Sequence, residues 1–180
     1  VYLAKQVKLD RPVALKIMSS RISQNESFKK RFMREARTLA QFRHPNIITI
    51  YEVESIADRW FIVMEYLDSG DLKSVMSRGL TKVQALKITR QVCEALQYAH
   101  ERNYVHRDIK PENILFDHGG RLVLTDFGIA RSMDTGETQL TQAGVSVGTP
   151  AYMAPEQFES SQVDHRADLY SLGILLFQML

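Results

Sequence analysis

The sequence predicts an α+β fold, with strands gathered in the first third of the chain and helices in the remainder. Apolar and polar residues alternate in strand fashion over Val7 to Met18, Ile47 to Val53 and Trp60 to Glu65, around one helical stretch from about Glu26 to Phe42. From Asp71 onward helical spacing dominates, interrupted by the turn signal Asp117-His-Gly-Gly120 ahead of a strand-like Arg121 to Thr125.

Taken in order, the first helix has Phe28, Phe32, Ala36 and Leu39 as a buried stripe, while Lys29, Lys30, Arg31, Arg34 and Arg37 face elsewhere. That basic run is read as a solvated helix face in preference to a phosphate or nucleic-acid site. His44-Pro45-Asn46-Ile47 marks a turn, since proline ends helical geometry. Thr81 and Gln84 form a capping box for a long helix through about Glu101, with Ala85, Ile88, Val92, Ala95, Leu96 and Ala99 as its buried stripe. Cys93, the single cysteine, is expected in that core and excludes an internal disulfide. Leu169 to Leu180 is apolar but too short to span a bilayer, so a buried helix is expected. With 180 residues, 44% hydrophobic and 24% charged, and a net charge of +2, the composition is that of an ordinary globular domain and points to neither nucleic acid nor membrane.

The chemistry is concentrated in His106-Arg107-Asp108-Ile109-Lys110-Pro111-Glu112-Asn113, followed by Asp126-Phe127-Gly128. Phosphoryl transfer needs in-line positioning and charge neutralisation more than covalent help. Asp108 can accept a hydrogen bond from an incoming hydroxyl, and Asn113 and Asp126 offer the oxygen ligands that Mg²⁺ prefers. The turn between them predicts a hairpin that brings Asn113 and Asp126 to neighbouring strand ends.

These two runs, with Val13-Ala14-Leu15-Lys16 and Ala154-Pro155-Glu156 in the same order, resemble the eukaryotic-type serine/threonine protein kinases, in particular their bacterial members. The resemblance implies a two-lobed fold: a small lobe over residues 1–64, a linker over 65–70, and part of a large lobe over 71–180 with an activation segment at 126–156. It implies ATP as phosphoryl donor and Mg²⁺ as the ion, with Mn²⁺ as an alternative. Lys16 would hold the α/β-phosphates with Glu35 as its ion-pair partner, Asp108 would be the catalytic base, Lys110 would steady the γ-phosphate, and Asn113 and Asp126 would be the metal ligands. Val1, Ala14 and Leu115 match positions that sandwich adenine, Met64 matches the residue at the back of that pocket, and backbone groups of Glu65 and Leu67 match those that meet the purine edge. Leu39, Ile50, Phe127 and His106 match four stacked apolar positions joining the lobes, and Asp168 matches the acid that anchors the catalytic loop.

Lys110 and Thr149, in Gly148-Thr149-Pro150, match the serine/threonine branch, so protein substrates with serine or threonine acceptors are implied. The segment between Gly128 and Gly148 is polar, and Arg107 with Arg131 offers an arginine pair for a phosphate; Thr141 is the expected phosphosite, with self-association serving autophosphorylation. The sequence opens inside the nucleotide-covering hairpin of the family and closes inside an apolar helix, so a fragment lacking the glycine-rich loop and the C-terminal helices is expected. A cytoplasmic kinase domain, tethered to a membrane in the full-length protein, fits the family's bacterial branch. Alternatives are a pseudokinase or nucleotide-binding scaffold, which would lack one of Lys16, Asp108, Asn113 and Asp126, and a small-molecule phosphotransferase, which usually lacks the Thr149 and Ala154-Pro155-Glu156 segment.

Overall fold

The computed structural model describes residues 1–17, 26–56, 59–127, 150–159 and 163–180. Strands β1 (Tyr2–Gln6), β2 (Arg11–Ile17), β3 (Ile50–Ile56) and β4 (Arg59–Glu65) form one antiparallel sheet in the order β1-β2-β4-β3, and helix α1 (Glu26–Ala40) separates β2 from β3. The strand expected from Val7 starts later, because Val7–Leu9 form a short 3-10 turn closed by Asp10 at φ 51°. Aspartate tolerates that left-handed backbone better than most side-chain-bearing residues, and Lys5 pairs with it at 2.5 Å. β3 also starts later than expected. Ile47 instead makes a single parallel bridge to Leu124, flanked by Ile48 N–H to Leu124 O at 3.0 Å and Leu124 N–H to Asn46 O at 2.9 Å.

Beyond β4 the described residues form helices, short 3-10 turns and one hairpin. Asp71 caps α2 (Leu72–Met76) through Ser74 N–H at 2.8 Å. α3 (Lys82–His100) carries the expected box, with Gln84 N–H to Thr81 Oγ1 at 3.3 Å and Thr81 N–H to Gln84 Oε1 at 2.8 Å. β5 (Ile114–Phe116) and β6 (Leu122–Leu124) form the hairpin, and α4 (Glu156–Glu159) precedes α5 (Arg166–Met179). Gly120 at φ 74° closes the hairpin turn through its N–H to Asp117 O at 2.9 Å, a backbone conformation that glycine adopts without strain.

The larger of two buried clusters joins α1, α3, α5 and the hairpin. Phe32, Ala36 and Leu39 of α1, Val92 and Leu96 of α3, Ile114 and Leu124 of the hairpin and Leu172 and Leu175 of α5 are buried together. Phe42 stands at its centre, edge-on to Tyr98, Tyr104 and Phe127 at centroid distances of 5.5, 5.8 and 6.1 Å. Lys30, Arg34 and Arg37 are exposed, as a solvated basic face requires. Two expectations fail. Cys93 is exposed, because it sits about 100° round the helix from Val92 and off the buried stripe. α5 is buried on one face only: Ala167, Ser171, Leu172, Leu175 and Met179 turn inward while Leu169 and Phe177 remain 51% and 81% exposed. A helix apolar all round carries no periodicity from which the covered face could be read. Among the described residues no helix is long and apolar enough to cross a membrane.

Two substitutions on α3 should differ in cost. Leu96→Ala, at a site 1% exposed, should destabilise the full-length protein by about 2–5 kcal/mol, and Thr81→Ala by about 1 kcal/mol through loss of the cap. Urea unfolding of both variants measures the order.

Candidate active site

Asp168, in the first turn of α5 and fully buried, organises the site. Its Oδ2 accepts His106 N–H at 2.8 Å and lies 2.7 Å from His100 Nε2, and its Oδ1 accepts Arg107 N–H at 2.7 Å. A buried carboxylate is tolerable when donors saturate it in this way. The same contacts hold Arg107 in a left-handed backbone conformation at φ 65°.

The His106 ring is fixed from the other side. Asp108 N–H donates to Nδ1 at 3.2 Å, so Nε2 carries the proton and donates to Thr125 O at 2.9 Å. Burial pushes the imidazole pKa below its ordinary value, only partly offset by Asp168. The ring also packs on Phe127, with centroids 4.4 Å apart. Leu39, Ile50, Phe127 and His106 are all buried, which fits the stack named from the sequence.

The chemistry-bearing side chains follow from that fixed loop. A 3-10 turn at Pro111–Asn113 folds Asn113 back so that its Nδ2 donates to Asp108 O at 2.8 Å and Asp108 Oδ2 at 2.9 Å. With the amide nitrogen so engaged, the amide oxygen is the end left to meet a cation. Lys110 Nζ lies 3.0 Å from the same Asp108 oxygen. Across the hairpin, Thr125 N–H and Oγ1–H both donate to Asn113 O, at 2.8 and 3.1 Å, and Asp126 follows at φ 56°. Asn113 and Asp126 therefore occupy adjacent strand ends.

Lys16 is arranged differently from the expectation. Its Nζ pairs with Asp126 Oδ1 at 2.6 Å, in place of the carboxylate of Glu35. The left-handed backbone of Asp126 turns its carboxylate toward β2, which carries Lys16. Glu35 instead lines a cavity of about 550 Å³ with Tyr104, Arg107 and His165. There it adds to the effect of burial in raising the Tyr104 hydroxyl pKa.

Of the residues proposed around adenine, Ala14 and Leu67 pack against a small buried cluster of Ile48, Met64 and Val123, and Ala14 sits opposite Met64 in the β2–β4 register. Leu115, half-buried, bridges to Asp71, while Val1 lies 73% exposed just ahead of β1. Glu65 N–H is engaged by Thr49 O at 2.9 Å. Thr141, Thr149 and Arg131 lie outside the described residues. Two contributors were not foreseen: His100, on a helix read as scaffold alone, and Gln157, whose Nε2 donates to Arg107 O at 3.0 Å while its Oε1 accepts Ala154 N–H at 3.0 Å. Gln157 thus ties the Ala154-Pro155-Glu156 segment to the loop that carries Asp108.

The sequence profile described as the protein kinase domain matches residues 1–180. The chain belongs to the protein kinase domain family. It is 40% identical over 182 residues to the serine/threonine-protein kinase PrkC of Bacillus subtilis, covering 100% of this chain and 28% of that relative. It is equally 40% identical over 185 residues to PknJ of Mycobacterium tuberculosis, covering 31% of that protein. Its fold superposes on the crystal structure of the Mycobacterium tuberculosis PknI kinase domain with a TM-score of 0.78 and 31% identity, covering 99% of this chain and 67% of that one. The fold is therefore that of a protein kinase, α+β, with relatives among bacterial serine/threonine kinases. The chain spans less than a third of the length of the curated relatives named.

Two outcomes follow from the buried groups. Asp168→Asn removes one acceptor and points an N–H₂ at backbone donors, and should cost about 3–5 kcal/mol in urea unfolding, whereas Asp164→Asn, on an exposed pair with Arg166, should leave the unfolding midpoint unchanged. For pH, burial lowers the pKa of His106 and, in the same direction, of His44. The unfolded chain then binds more protons below the ordinary histidine value near 6.5, so stability is complete above it and falls as pH drops toward the folded pKa. The slope is at most about 1.4 kcal/mol per pH unit for each histidine. Carboxylates held low by hydrogen bonds, Asp71 by Ser74 and Asp117 by Arg121, act in still more acidic solution. Unfolding free energy measured from pH 7.5 to 5.5 should decline, and less steeply in His106→Phe.

Proposed function

We propose that the protein transfers the γ-phosphoryl group of ATP to serine or threonine hydroxyls of proteins, hydroxyls of its own activation segment included. The observation that carries this is the convergence of Lys110 and Asn113 on one carboxylate oxygen of Asp108, with Asp126 at the facing strand end.

The residues fit a magnesium ion. Mg²⁺ takes hard oxygen donors and commonly accepts only one or two from the protein, the rest coming from water and phosphate. The amide oxygen of Asn113 and the carboxylate of Asp126 are such a pair. When bound, the ion would neutralise charge on the phosphate oxygens. The chain's own residues do the rest. Asp108 orients the acceptor hydroxyl and accepts its hydrogen bond as the proton is lost. Lys110, 3.0 Å from that carboxylate, brings positive charge to where negative charge develops. Lys16 is the cation for the α/β-phosphates, with Glu35 as the carboxylate that would hold it there. Ala14, Met64, Leu115 and Val1 are the side chains that would receive the purine. Because Glu65 N–H is engaged by Thr49, its carbonyl and the backbone of Leu67 are the groups offered to the purine edge. Thr149 completes the acceptor side.

The same reading divides the chain into a small lobe (1–64), a linker (65–70) and a large-lobe portion (71–180) with its activation segment at 126–156. Phosphate on Thr141, held by Arg107 and Arg131, would order that segment. Protein substrates meet the domain on the cytoplasmic side, and the full-length protein is membrane-tethered. Relatives named as serine/threonine kinases and the presence of Lys16, Asp108, Asn113 and Asp126 together support catalysis over a pseudokinase role.

The test is intact-mass measurement of phosphate incorporation by full-length protein incubated with MgATP. Native protein should gain phosphate, Asp108→Asn should lose about 10²-fold or more in rate, and Thr141→Ala should lose the activating increment. A native protein that binds nucleotide yet gains no phosphate rejects the proposal.

A further inference from the structure

The hairpin turn beside the metal-ligand pair reaches out of its own element. Arg121, the residue before β6, sends its three guanidinium nitrogens to three different parts of the fold. Nε donates to Asp117 Oδ2 at 2.8 Å, within the turn itself. Nη1 donates to Pro45 O at 2.8 Å, on the loop joining α1 to β3. Nη2 donates to Glu65 Oε1 at 2.6 Å, at the end of β4 where the sheet passes into the linker. The Arg121 pKa is raised, first by the Asp117 contact and also by Glu65, while burial opposes the shift. Its planar fork is suited to such simultaneous contacts, which a lysine ammonium on a flexible stem cannot reproduce.

Glu65 depends on this contact more than its exposure suggests. Its other carboxylate oxygen, Oε2, is buried with no hydrogen-bond partner among the described residues. Without Arg121 the carboxylate would have to move toward water, and Glu65 with it, because an unpaired buried carboxylate is costly. A second grip lies three residues further along the linker, where Asp68 meets His118 of the same turn at 2.6 Å. That pair is largely exposed on the histidine side and involves neither Arg121 nor Glu65.

We infer that Arg121 is a positioning residue for nucleotide binding: by clamping Glu65 and Pro45 to the hairpin that carries Asn113 and Asp126, it fixes the backbone of Glu65 to Leu67 against which the purine edge is read. The inference rests on the kinase reading for the identity of the ligand. It differs from the roles of Lys16 and Asp108 in that Arg121 touches no phosphate or acceptor and acts through Glu65.

The experiment uses full-length protein and two readouts. Calorimetric binding of adenosine, which has no phosphate, reports the purine site without turnover, and steady-state kinetics separates KM for ATP from kcat. Arg121→Ala should weaken adenosine binding and raise KM for ATP by about tenfold, the size of one charge-assisted contact, that to Glu65, of the three that are lost, with kcat and the acceptor KM within about twofold of native. Arg121→Lys should recover only part of the loss. In a Glu65→Gln background Arg121→Ala should add less than about twofold, because the two act as one unit. Unchanged adenosine affinity in Arg121→Ala overturns the inference, as does a loss shared equally by kcat, acceptor KM and thermal midpoint, which marks a structural contact only. A native protein that transfers no phosphate refutes the catalytic reading, and the adenosine comparison then decides the Arg121 inference by itself.

Discussion

A single buried charge sets the geometry of this domain. Asp168 is fully buried, and a carboxylate there is tolerable only if donors surround it. The donors are the backbone amides of His106 and Arg107 and the ring of His100. Backbone amides cannot be repositioned without moving the chain, so the requirement of one side chain on α5 becomes a constraint on the loop that carries Asp108. The left-handed backbone at Arg107 is the local cost, offset by two charge-assisted hydrogen bonds to Asp168.

From that anchor the constraint passes through packing. His106 bonds Thr125 O at the end of β6 and lies on Phe127, which shares its face with Phe42 and Tyr104. Phe42 follows α1, so the aromatic cluster connects the loop that carries Asp108 to the sheet-bearing part of the chain. A second route is polar. Asn46 donates through Nδ2 to Leu122 O and accepts Leu124 N–H, adding the 44–48 loop to the hairpin as a short parallel bridge. Aromatic contacts and a backbone bridge are both short-ranged, and two such routes leave the hairpin little freedom relative to the α1–β3 connection.

The sequence made much of this legible, for identifiable reasons. Strands and helices with one buried face announce themselves by period, which is why α1, α3, β2 and β4 overlap the stretches that alternation and helical spacing marked, while β1, exposed along most of its length, lay outside them. Asp108, Lys110, Asn113 and Asp126 were legible because a short run holds them, and a tight turn and a hairpin suffice to bring them together. Contacts that cross the fold left no such trace. His100 meets Asp168 across 68 residues, Gln157 meets Arg107 across 50, and Arg121 meets Pro45 across 76. Each is a polar residue at an unremarkable position whose partner is fixed by tertiary packing alone. The covered face of α5 and the exposure of Cys93 escaped for the converse reason, since burial of an apolar or small residue is decided by its neighbours.

The placement of Lys16 shows how the site divides into a rigid and an adjustable half. Its pair with Asp126 is short, yet the two side chains are 32% and 36% exposed, so solvent screening leaves it worth no more than about 1 kcal/mol. Asp168 is itself fully buried, with the His100 ring beside it only 15% exposed, and breaking its contacts costs several times as much. One ammonium can hold one carboxylate closely, and exchanging Asp126 for Glu35 therefore asks little of Lys16 itself. Glu35 is carried by α1, whose Phe32, Ala36 and Leu39 are set into the core, so the carboxylate that Lys16 does not hold here sits on a strongly packed helix. Asp108, Asn113 and the hairpin stay fixed by Asp168 whichever carboxylate Lys16 holds.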